Sequence, residues 1–128
     1  MAFMETVYML LNGKKLDKNA FLHYLSDKIR KTQKKFNIKK PSKKIYCLDD
    51  AAIEIVYALM AHKSPKVQKS EFLYCLKKEL EIYARLRGKK FEFVEYNGLK
   101  LKVRQMLDFL EKQHPEIKYS ILAANSQL

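Results

Sequence analysis

Apolar positions recur at helical spacing through most of this chain. Phe3, Val7, Leu10 and Leu11 fall at i, i+4, i+7 and i+8, which predicts a short first helix closed by Asn12-Gly13. Asp17 is placed as the N-cap of a second helix that turns Leu22, Leu25, Ile29 and Phe36 inward and fades near Asn37, ahead of Pro41. Lys43 to Leu48 (KKIYCL) reads as one buried strand, and Ala51 to Ala61 as a helix with Ile53, Ile55, Val56, Leu59 and Met60 apolar. Lys63-Ser64-Pro65-Lys66 is the clearest break. Phe72 to Leu76 fits a second short strand or a helix start. Glu79 to Arg87 follows the helical period through Leu80, Tyr83 and Ala84, with Gly88 as its C-terminal cap. Phe91 to Val94 alternates like an exposed strand, bounded by a turn at Asn97-Gly98. A last long helix carries Val103, Met106, Leu107 and Leu110 and stops at His114-Pro115. Tyr119, Ile121 and Leu122 read as a tail docked on the core, and Asn125 to Leu128 as frayed.

The pattern predicts a mainly α fold with minor α+β character: about five helices and one or two short strands. A length of 128 residues makes this one domain, 1–128, with N-terminal helices, a strand and an aspartate-bearing helix in 1–62 and a C-terminal helical unit in 66–128. Three Gly and three Pro argue for few, long elements, and 48% hydrophobic residues supply a core without disulfides or metal. Cys47 and Cys75 stand apart, each in an apolar run, as suits small buried side chains in a reducing cytoplasm. No apolar run approaches the twenty residues of a membrane span, and no signal peptide is visible.

Charge adds a partner class. Twenty-six Lys and Arg against fourteen Asp and Glu give +12, which favours polyanions, with a lysine-filled solvated surface as the plainer explanation. The densest basic run holds Lys28, Arg30, Lys31, Lys34, Lys35, Lys39, Lys40, Lys43 and Lys44 without one acid. Helical spacing aligns Lys28, Lys31, Lys34 and Lys35, a face for contacting an RNA backbone rather than reading bases. Arg104 either contacts phosphate or pairs with Asp108 at i+4. Among Tyr74, Tyr83, Tyr96 and Tyr119, the helical spacing sends Tyr83 and Tyr119 to the core, and Tyr96, at a turn, is the candidate for base stacking.

Asp49 and Asp50 stand where a strand gives way to a helix. A carboxylate there is first an N-cap, and second a candidate for chemistry at the carboxyl end of a strand. Glu71, Glu79 and Glu81 read as charges that complement helix starts. His23, His62 and His114 are too scattered to form a metal site with the two cysteines, and no nucleophile motif is present.

Glu79-x-x-x-Tyr83-Ala84-x-Leu86-x-Gly88, then Phe91-x-Phe93-x-Glu95, then Val103-Arg104-x-x-Leu107-Asp108-x-Leu110-Glu111, closing on His114-Pro115-x-Ile117-Lys118-Tyr119-Ser120-Ile121-Leu122, resembles the C-terminal end of the PP-loop ATP pyrophosphatases that 2-thiolate tRNA. Leu48-Asp49-Asp50-Ala51-Ala52 is similar to that family's LDDEA motif, which contributes an aspartate to the adenylation site. The resemblance implies the C-terminal portion of a PP-loop α/β domain and tRNA as the RNA held. The family's SGGxDS phosphate loop has no counterpart here, its motif glutamate is Ala51, and Tyr96-Asn97 stands where a cysteine ligand is expected after Glu95. The resemblance therefore implies no cofactor for this chain alone. Asp50 and Asp49 become catalytic, with ATP and magnesium, only beside a partner subunit carrying SGGxDS. Three readings follow: half of a split enzyme or a shortened RNA-binding paralogue, a stand-alone basic helical nucleic-acid-binding module, and an adaptor gripping a protein partner.

Overall fold

Side-chain caps decide where three of the five helices begin in the computed structural model, which describes residues 8–9, 15–40 and 44–126. Helix α1 (Lys18–Phe36) starts where the Asp17 carboxylate accepts the Ala20 N–H at 2.8 Å, and ends at Asn37, which takes a φ of 55°. It buries Phe21 and Leu25, with Leu22 and Ile29 packed against the same core of Ile45, Cys47, Phe72, Cys75, Leu80 and Tyr83. Ahead of it, β1 (Tyr8–Met9) pairs antiparallel with β2 (Lys15–Leu16). Tyr8 and Met9 are thus in a strand, not in the helix that the spacing predicts. Phe3, Val7, Leu10, Leu11 and Asn12-Gly13 lie outside the described residues.

Strand β3 (Lys44–Ile45) is shorter than the predicted Lys43–Leu48 strand, of which Lys43 lies outside the described residues. The Asp50 carboxylate accepts the Cys47 N–H at 2.7 Å and starts α2 (Leu48–Met60) at Leu48, ahead of the apolar pattern. The next segment, 71–76, is neither strand nor helix but a buried run of turns, with the Ser70 hydroxyl accepting the Phe72 N–H. Its end supplies the cap of α3 (Lys77–Arg87), where Glu79 accepts the Leu76 N–H at 2.9 Å. Gly88, at φ 65°, closes α3 as predicted. Strand β4 (Glu92–Phe93) then returns parallel to β3, Ile45 opposite Phe93. Parallel strands need a long crossover, and here α2 and α3 form it.

Helix α4 (Gly98–Glu111) and α5 (Ile117–Ser126) both pack on α2. The predicted docked tail at Tyr119 to Leu122 is therefore a helix, and Leu122 is buried with Leu48, Ala51, Ile55, Leu73 and Leu76. Val103 and Leu107 face Ala52 and Ile53 across the α2–α4 contact. Five helices and two two-stranded pairs make the described residues mainly α with minor β. None of these helices is long and apolar enough to cross a membrane. Cys47 and Cys75 are buried free thiols, and burial pushes the thiol of Cys75 up to about 12 and that of Cys47 higher still.

Candidate nucleic-acid interface

The basic run divides once it is folded. Lys28 is enclosed: its ammonium donates to the hydroxyls of Tyr24 and Tyr119, both at 2.9 Å, and sits over both rings. Burial pulls its pKa down, but Tyr119, Glu79 and Tyr24 outweigh that and hold it above the ordinary lysine value. Lys35 donates to the Tyr74 hydroxyl at 2.7 Å and lies over the Tyr74 and Phe36 rings. Lys31 and Arg30 pair with Asp27, just ahead of the run, at 3.0 and 2.6 Å. Arg30 and Lys31 stay exposed but carry that partner, whereas Lys34, Lys39, Lys40 and Lys44 are exposed with no side-chain hydrogen-bond or ion-pair partner among the described residues, gathered from the last turn of α1 to β3. Lys43 is outside the described residues.

Tyr96 is not free for stacking. Its ring packs against the α2–α4 core and its hydroxyl donates to Asp50 Oδ1 at 2.5 Å. Burial, then the bond to Asp50, pushes its pKa far above the usual tyrosine value. Asp50 is thereby occupied on both oxygens, Oδ2 by the Cys47 N–H and Oδ1 by Tyr96. The cap reading of this residue describes its geometry, although it caps from the third helical position rather than from in front.

Asp49 does something the sequence does not suggest. From the first turn of α2 its Oδ1 accepts the Lys77 N–H at 2.8 Å, capping α3 across the molecule, and its Oδ2 accepts from Lys118 Nζ at 2.6 Å. Lys118, on α5 and buried, also reaches Asp108 at 2.8 Å and Glu111 at 3.4 Å. Burial disfavours its charge, but Asp49 first, with Asp108 and Glu111, holds the pKa above the ordinary value. Asp108 thus pairs with Lys118 and not with Arg104. Arg104 instead lines a cleft of about 250 Å³ beside Asp49, Lys77, Lys78, Asp108 and Lys118.

Sequence reasoning missed Lys118 as a site residue, because one lysine among many basic residues carries no mark of burial. Its position three residues after Pro115 in a short apolar helix is the one available signal. Among the described residues no group of three or more His, Cys, Asp or Glu side chains is placed to hold a metal ion. Comparison with protein-family models, curated proteins and solved structures finds no match to this chain.

Proposed function

We propose that this chain is a cytoplasmic RNA-binding protein that performs no chemistry by itself and holds a folded RNA by its phosphate backbone. The observation that carries the reading is the acid-free group of exposed lysines, Lys34, Lys39, Lys40 and Lys44, where α1 ends and β3 begins. Positive charges without a partner among the described residues bind phosphates by releasing counterions. The sequence resemblance supplies tRNA as the RNA class. In the same resemblance Tyr96 follows Glu95 where a cysteine ligand is expected, and its hydroxyl occupies the carboxylate of Asp50. That supports the shortened-paralogue form over the split enzyme. ATP and magnesium enter only if a partner supplies the phosphate loop.

The test is tRNA binding by the whole chain across a salt series. The expected slope of log K against log salt is roughly −2 to −4, from about three or four neutralised phosphates. A slope near zero, or no binding at low salt, overturns the reading. Asp50→Asn is expected to retain tRNA binding. Recovery from the source cell of a partner carrying SGGxDS, with thiolation lost in Asp50→Asn, would instead make the aspartate catalytic.

A further inference from the structure

The large hydrophobic residues left exposed fall on two adjoining elements. Leu99, Met106 and Phe109 of α4 are 46%, 44% and 61% exposed, and Leu59 and Met60 at the end of α2 are 64% and 53% exposed. Steps of seven and three residues put the α4 trio in one stripe about 15 Å long. Lys100, at the start of α4, bonds Glu54 at 3.2 Å and lies over the Tyr57 ring, whereas Asp108, near the other end, reaches Asp49 through Lys118. The two helices therefore run antiparallel, and the exposed end of α2 lies at the Leu99 end of the stripe.

Charge says what fits there. The two acids of α4, Asp108 and Glu111, are both drawn to Lys118 on the opposite flank. Lys102, exposed, stands within the stripe between Leu99 and Met106, and Lys112, also exposed, follows Phe109 one turn on, with Lys63 beyond the end of α2. An apolar surface that carries lysines complements a helix that is apolar on one side and acidic along its edges. A second copy of this chain would set lysines against lysines on molecules that each carry +12. We propose that the outer face of α4, with the end of α2, docks an acidic amphipathic helix of a partner protein, separately from the lysine group at the end of α1.

The probe is a fluorescently labelled synthetic helical peptide with leucines at i, i+3, i+4 and i+7 and glutamates along both edges. Its control has lysines in place of the glutamates. In fluorescence anisotropy the whole chain is expected to bind the acidic peptide and not the basic one. Met106→Ser with Phe109→Ser should weaken that binding roughly tenfold or more while tRNA binding stays intact. These side chains are exposed, so the fold is expected to survive, and circular dichroism checks it. Lys102→Glu with Lys112→Glu leaves the stripe in place and should reverse the preference between the peptides. Equal binding of both peptides, or indifference to the serine variants, overturns the proposal. So does a dimer of the wild-type chain that Phe109→Ser splits, or binding to anionic phospholipid vesicles without binding to the peptide.

Discussion

Asp50 holds its carboxylate between the Cys47 N–H and the Tyr96 hydroxyl, where burial, opposed by those bonds, lifts its pKa above 3.8. The unfolded chain releases this proton near 3.8 and the folded chain only at higher pH. Across that interval the folded state binds more protons, so the Asp50 contribution to stability falls as pH rises. Asp50→Asn cannot titrate. Its stability relative to wild type is therefore expected to improve from about pH 4 to about pH 7, as read from paired urea denaturation curves. A constant difference would mean that the carboxyl is not shifted. Tyr96→Phe keeps the ring and removes the hydroxyl from a charged acceptor, a loss of about 1.5–3 kcal/mol at neutral pH. If denaturation shows no loss, the bond to Asp50 contributes nothing. The sequence marked Asp50 as a cap because capping depends on a carboxylate three residues from a free N–H, which is a local fact. It offered Tyr96 to a nucleobase because the partner that occupies it lies forty-six residues away.

Helices α2, α3, α4 and α5 meet at one ammonium group. Lys118 of α5 touches Asp49 of α2 and Asp108 and Glu111 of α4, and Asp49 also caps α3. Removing one partner of a buried ion pair leaves a charge without compensation, so Lys118→Met is expected to cost about 3–5 kcal/mol in chemical denaturation. Adding Asp49→Asn should recover much of this, since the amide oxygen still accepts the Lys77 N–H while the stranded charge is gone. A double variant no more stable than the single one would place the loss in packing instead. The ends of elements governed by nearby residues were readable: Asp17, Asn37 and Gly88 all close or open a helix as their chemistry dictates. The elements misread were those with competing local signals. KKIYCL is β-prone, yet the cap on Cys47 draws Leu48 into α2. Ile117–Ser126 follows a proline and is only ten residues long, and burial against α2 makes it a helix.

At the scale of the molecule, the +12 charge is spread over several exposed groups, and two of them differ in character. The group at the end of α1 is lysine alone: Lys34, Lys39, Lys40 and Lys44. The face of α4 sets Lys102 and Lys112 among apolar side chains. A uniformly basic surface would bind RNA equally through either, and composition does not tell the two apart. Folding does, by sending Lys28 and Lys118 inward, pairing Lys31 with Asp27 and holding Lys35 over aromatic rings. Lys34→Gln, Lys39→Gln and Lys40→Gln together should therefore flatten the salt dependence of tRNA binding by about 2 in slope, at roughly 0.7–0.9 for each phosphate left unneutralised. Lys102→Gln with Lys112→Gln removes nearly as much charge from the other face. Its slope is expected to match wild type, with only a small uniform weakening from the lower net charge. Equal flattening by both sets would show that the RNA responds to total charge, and the end of α1 would lose its claim to be the interface.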